Sequence, residues 1–343
     1  MGREGEMSDR CLIVLLVSVA FVCGAVVSGV AQTQTDRADS KTSLTPWGHP
    51  NLQGTWTNTT TTPLQRPIEL GEKALLSDEE RAALDEERSQ TEQHACATEL
   101  VVLQREPPPT STGSYNSFWL EQGTRTNQTS LIVDPPDGRL PPVTLSAQQR
   151  ADRLVSIRES PSYPQTWREP SVFERCITRG LPATMMPGFY NHNYQILQTP
   201  RYVVINAEMI HDTRIIPLDG RPHLPGHLRQ WMGDSRGHWD GDTLVVETTN
   251  FTDKVYERRV SNTVFGAGEA MSLVERFTRV DADTLDYRFT LTDPTTFATP
   301  WTAVIPMNAM NSPIHEYACH EGNYSMENML RGARTKESRL SRP

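Results

Sequence analysis

The sequence predicts a mainly β chain, folded as an antiparallel barrel or sandwich with a few peripheral helices and long loops. Three observations lead there. From Asn193 onward, short runs rich in β-branched and aromatic residues follow one another: "YQILQTP", "RYVVINAEMIHDTRIIPLDGRP", "DTLVVETTNF", "SLVERFTRVDADTLDYRFTLTDP" and "WTAVIPM". Turn chemistry separates them, with Asp-Gly pairs in "LDGRP" and "WDGDT" and a hairpin tip at Asp281 to Asp283. The 25 prolines cluster in turns such as "EPPPTSTG" and "DPPDGRLPP", which suits short strands better than a helical bundle. About eight to ten strands in succession correspond to an up-and-down barrel or a related sandwich.

Taken in order, the first element is a targeting signal. "MGREGEMSDR" is charged, "CLIVLLVSVAFVCGAVVSGVA" is almost wholly apolar, and "GVA" before Gln32 offers small residues for cleavage. This reads as a signal peptide over 1–31, followed by a polar linker over 32–43. The apolar stretch is also long enough to span a bilayer, so an uncleaved anchor is the alternative. A single β-rich domain then occupies 44–343, with helical and loop insertions at about 70–170. Its first strand centres on Thr55 and Trp56. "LSDEERAALDEERSQTEQHA" is helical, with Ser77 as N-cap and Glu80 completing a capping box. A turn-rich region follows from Arg105 to Arg139, with aromatics Tyr115, Phe118 and Trp119 and a short strand "SLIVD". "LSAQQRADRLVSIRES" reads as a second helix.

Composition narrows the partners. Over 343 residues the formal net charge is −9 and no basic tract appears, which argues against nucleic acid. Apart from the leader there is no run of spanning length, so the mature chain is expected to be soluble, periplasmic or extracellular, without stable membrane insertion. Export gives the cysteines meaning. Cys11 and Cys23 leave with the leader; Cys96, Cys176 and Cys319 remain. A Cys176–Cys319 disulfide fits an oxidising compartment, and a nucleophilic Cys319 is its rival. No phosphate-binding loop or dinucleotide fingerprint is present.

"WGHPNLQGTWTNTTTTPLQRP", "SLIVDPPDGRLPP", "YVVINAEMIHDTRIIPLDGRPH", "GHWDGDTLVVETTNF" and "EYACHEGN" together resemble a poorly characterised family of exported bacterial β-rich proteins. That resemblance covers nearly the whole mature chain and implies no particular reaction. "GTW" on the first strand is similar to the Gly-x-Trp opening of lipocalin-like (calycin) barrels, which implies a barrel with an interior cavity.

Seven of the nine histidines follow residue 190. If "NAEMIHDTRII" is one continuous strand, Met209, His211, Thr213 and Ile215 share a face, and Glu208, Ile210, Asp212, Arg214 and Ile216 share the other. His211 then faces a cavity as a candidate base, or is an ordinary packed histidine. Read as a terminal strand, "IHEYACHEGN" puts Glu316 and His320 on one face and Tyr317 and Cys319 on the other. The expected site has His211 as general base and His320 as acid, with Tyr317 and Arg214 completing the catalytic group. Arg229, Trp231, Trp239, Asp212, Glu316 and His192 are its candidate substrate contacts. No cofactor is expected. A divalent metal held by His211, His320, Glu316 and His192 is the alternative, though no His-x-x-x-His or Cys-x-x-Cys spacing supports it. No Gly-x-Ser-x-Gly context supports a serine triad.

Two function classes follow. One is an exported enzyme using His-based acid–base chemistry on a small polar substrate such as a sugar or plant-derived aromatic, as a lyase, isomerase or hydrolase. The other is a non-catalytic small-molecule-binding β-barrel.

Overall fold

A computed structural model describes residues 43–102, 121, 123–188, 190–254, 259–260, 263–264 and 268–341, with backbone alone for 91–102, 259–260 and 263–264. The expected signal peptide, nearly all of the linker and residues 103–120 lie outside the described residues.

Antiparallel strands wrap into one nearly closed barrel. In chain order these are β1 (Gly54–Thr57), β2 (Ile132–Asp134), β3 (Asn193–Gln198), β4 (Tyr202–Ala207), β5 (Thr213–Pro217), β6 (Asp234–Asp240) and β7 (Thr243–Thr249). A short pair, β8 (Arg259–Val260) and β9 (Thr263–Val264), stands apart, and β10 (Ser272–Arg279), β11 (Thr284–Thr292) and β12 (Trp301–Met310) complete the set. Around the barrel the order is β5, β4, β3, β1, β12, β11, β10, β7, β6, with β2 added on β12. β5 and β6 meet at the seam without a ladder between them. The barrel expectation therefore holds, with β1 inserted between its two meandering halves.

Strand alternation sets what fills it. Leu285, Tyr287, Phe289 and Leu291 of β11 point inward, beside Leu273 and Phe277 of β10 and Trp301, Ala303, Ile305 and Met307 of β12. Trp56 of β1 and Tyr194 of β3, on the strands next to β12, are buried with them. These large side chains pack the middle of the barrel, where the calycin-like reading expected a cavity.

Two inward positions carry opposite charges. Arg214 of β5 reaches across the seam to Glu275 of β10 as a two-pronged pair, Nη1 to Oε1 at 2.9 Å and Nη2 to Oε2 at 2.5 Å. Ser235 Oγ and Thr248 Oγ1 accept from the same Nη2, and Tyr287 donates its hydroxyl to Glu275 at 3.0 Å. Burial alone would lower the Arg214 pKa, but the Glu275 charge and hydrogen bonds outweigh it and hold it raised. Arg214 was expected in the catalytic group. It is instead sealed in the interior, where a guanidinium is tolerable because a carboxylate matches it.

Among the described residues, three α-helices lie outside the barrel: α1 (Asp78–Val102), α2 (Leu145–Glu159) and α3 (Ser325–Leu340). The capping box of α1 forms as read: Ser77 Oγ accepts from Glu80 N at 3.2 Å, and Glu80 Oε2 accepts from Ser77 N at 2.8 Å. Thr144 caps α2 by accepting from Ala147 N. Residues 311–324 are not the expected terminal strand but an irregular loop leading into α3.

Candidate functional site

The expected continuous strand over Asn206–Ile216 is interrupted. After Ala207 the backbone makes one 3₁₀ turn, Met209–His211, and resumes as β5. The turn forces Ile210 to φ 60° and His211 to φ 47°, the left-handed region that a β-branched residue rarely adopts. It also reverses the expected facing: Met209 and Ile210 are buried, while the His211 ring turns outward. Two further non-glycine residues with positive φ, Cys176 and Asn191 (both 56°), lie in segments that meet this turn. Such conformations cost about 1–3 kcal/mol each and persist where surrounding contacts hold them.

Those contacts form a buried polar cluster at this end of the barrel. Asp212 Oδ2 accepts from Thr178 Oγ1 at 2.8 Å and from the Arg179 amide at 3.4 Å. The Arg179 guanidinium, buried over the Phe173 ring, places Nη1 2.9 Å from His192 Nε2. A guanidinium only donates, so His192 Nε2 accepts and the ring is neutral with its proton on Nδ1. Glu208 is held by Asn191 at 2.7 Å and Asn193 at 2.8 Å, and Glu121 Oε1 accepts from the Asn191 amide at 2.9 Å.

Electrostatics separate these groups. Burial pulls the Arg179 pKa down, opposed by Tyr194, Tyr190, Tyr317 and Asp212 close by. Burial raises the Asp212 carboxyl above the usual carboxylate range, even though the Thr178 hydrogen bond favours its ionised form. Burial likewise pushes the Tyr194 phenol up; it stays protonated and donates to the Thr184 carbonyl.

A disulfide ties a distant loop onto this end. Cys176 and Cys319 are bonded, with Cα atoms 5.8 Å apart across a separation of 143 residues. The expected bridge is present, and Cys319 is thereby not a free nucleophile. The loop it anchors brings the Tyr317 carbonyl to 3.3 Å from His211 Nδ1.

Of the expected site, Asp212, His192 and Tyr317 gather around Arg179, and His211 joins them through the Tyr317 carbonyl and Asp212. The others do not. Glu316 is exposed on the loop, and His320 lines a separate cavity of about 320 Å³ whose walls do not include His211. The two imidazoles do not share one cavity, because a 3₁₀ turn at Met209–His211 interrupts the alternation between β4 and β5 and residues 311–324 form a loop. Arg229 is tied to the Phe251 and Glu269 carbonyls. Trp239 stacks on His49 with ring centroids 4.8 Å apart, and Trp231 packs with Ile177 against Val172. Among the described residues, no three His, Cys, Asp or Glu side chains stand close enough to share a metal ion, so the alternative set of His211, His320, Glu316 and His192 is not gathered.

Arg179, Glu208, Tyr190 and Glu121 were missed. The one available signal was local: "CITRGLP" follows a bridging cysteine with an arginine, a glycine and a proline, a poor helix or strand and hence a built loop.

Compared with known protein families and curated proteins, the chain matches no family model and no curated protein. Its class rests on the fold: a mainly β, nearly closed antiparallel barrel with a disulfide-anchored polar cluster at one end.

Proposed function

We propose that the chain is an exported enzyme that carries out acid–base chemistry on a small polar organic molecule, as a lyase, isomerase or hydrolase, at the disulfide-anchored end of the barrel. The observation that carries this reading is the meeting of Arg179, Asp212 and His211 on a backbone held in left-handed conformations at Cys176, Asn191, Ile210 and His211. Charged groups with opposed burial and strained supports cluster where chemistry requires fixed geometry.

The roles follow from the hydrogen bonds. The Tyr317 carbonyl can only accept, so neutral His211 carries its proton on Nδ1 and presents the Nε2 lone pair as base. Asp212, with its pKa raised by burial, is the partner that gives a proton back. Arg179 supplies fixed positive charge for an anion that develops during reaction, aided by its low-dielectric surroundings. Positioned general acid–base groups contribute typically about 10²–10⁴-fold.

Export is part of the same proposal. It draws support from the charged and apolar leader and from the Cys176–Cys319 bridge, which suits an oxidising compartment. No described helix is long and apolar enough to cross a membrane.

The test is a screen of the purified mature protein against sugars, glycosides and aromatic acids and esters. Proton exchange and product formation would be followed by NMR, with Asp212→Asn as the control. Turnover carried equally by both proteins would place the chemistry elsewhere. A second reading, a non-catalytic binder, is favoured by the cavity at His320, considered next.

A further inference from the structure

Beside the disulfide lies a cavity of about 320 Å³, at the lower end of the roughly 300–1,000 Å³ typical of small-molecule sites. Its lining combines Trp167, Ile177 and Met326 with Glu174, Arg175 and His320, and Cys176 forms part of the wall. Apolar and charged groups therefore converge in one place.

The charges are not equivalent. Glu174 is already engaged: its Oε2 accepts from the Ser171 amide at 2.7 Å and lies 3.6 Å from Arg158. Arg175 has no ion pair among the described residues, and its buried Nε has no hydrogen-bond partner among them. A buried guanidinium nitrogen left in this way calls for a water or a ligand acceptor. Met326 stands in the first turn of α3, so the partially positive end of that helix borders the cavity. Trp167 is 55% exposed, with the Arg168 guanidinium 5.1 Å above its ring. An indole left this open beside Ile177 and Met326 is a platform for a flat apolar group.

We infer that this cavity binds a small aromatic carboxylate, its ring on Trp167, Ile177 and Met326 and its carboxylate on Arg175 beside His320. Arg175 suits the task because a planar guanidinium matches a carboxylate with two parallel hydrogen bonds. The site is distinct from the Arg179 cluster and does not rest on the acid–base reading.

The test is calorimetric titration of the mature full chain with phenylacetate and, in parallel, with neutral phenylacetamide. Phenylacetate should bind saturably with 1:1 stoichiometry, and phenylacetamide at least roughly tenfold more weakly, the loss expected for one charge-assisted pair. Arg175→Gln should abolish the difference between the two. Trp167→Ala, which removes an exposed ring and leaves the core untouched, should weaken both. Asp212→Asn should bind phenylacetate as the wild type does, which separates this site from the proposed catalytic one. Absence of saturable phenylacetate binding, equal affinity for the amide, or unchanged binding in Trp167→Ala and folded Arg175→Gln would overturn the inference.

Discussion

His211 Nδ1 lies 3.3 Å from the backbone carbonyl of Tyr317, a contact between residues 106 apart in sequence. It couples the orientation of an exposed imidazole to a loop that no strand ladder holds. What holds the loop is the Cys176–Cys319 bond. The tautomer of the proposed base thus depends on a covalent link formed two residues further along the chain.

That dependence gives the first prediction. Breaking the bridge, by reductant or by a Cys176→Ser/Cys319→Ser double variant, should cost roughly 2–5 kcal/mol of stability, since the bond closes a long loop. Thermal unfolding with and without dithiothreitol checks it. Counting thiols in the denatured mature protein should give one before reduction and three after, Cys96 being the third cysteine of the mature chain. Three thiols before reduction would remove the bridge from the account.

Asp212 should show its burial in the pH dependence of stability. Its folded pKa is raised above the unfolded value of about 3.9, so between the two the native state binds more protons. Stability therefore falls as pH rises through that window, and the penalty is complete above the folded pKa. Asp212→Asn carries no such penalty. Its melting temperature relative to wild type should increase as pH rises from about 3.9 through the folded pKa. A difference that stays flat, or shrinks with rising pH, would mean that Asp212 is ionised in the fold without cost.

Gly188 should be intolerant of a side chain. A Cβ there would collide with His192 Nε2, the atom that accepts from Arg179. Gly188→Ala should displace the imidazole and release the buried guanidinium from its partner, costing on the order of 1–3 kcal/mol. Chemical denaturation measures this, and a neutral result would show that His192 can move without consequence.

The interior pair makes an asymmetric prediction. Arg214 and Glu275 are 3% and 0% exposed, so replacing either alone leaves a buried charge unmatched. Arg214→Met and Glu275→Leu should each destabilise by about 3–5 kcal/mol, and the double variant by less than either single. A double-mutant cycle by urea denaturation decides it; additive losses would count against the pair.

Much of the barrel could be read from the sequence because its strands alternate cleanly and its turns carry Asp-Gly pairs. Leu285, Tyr287, Phe289 and Leu291 alternate with polar residues throughout β11. The strand β6 was missed because "DSRGHWD" has almost no apolar residues; Gly237 faces Ile216 and Leu218, where a larger side chain would clash. The site was only half legible. His211, Asp212, His192 and Tyr317 stood out as titratable or aromatic residues, but alternation misplaced His211, because a left-handed turn at Ile210 leaves no periodic signature. Arg179 was invisible for a different reason: its burial depends on a loop that only tertiary contacts define. For Glu316 and His320, the density of charged groups suggested a strand that the loop 311–324 does not form.

The most direct measurement is the turnover of His211→Ala and Asp212→Asn, against wild type, on the substrate that screening identifies, with folding verified on the same samples. His211 is exposed and makes one contact to a backbone carbonyl, so its removal should leave stability nearly unchanged. The account predicts that each variant stays folded and loses about 10²-fold or more in kcat/KM. Folded variants that keep wild-type turnover would contradict it and remove the Arg179 cluster from the chemistry.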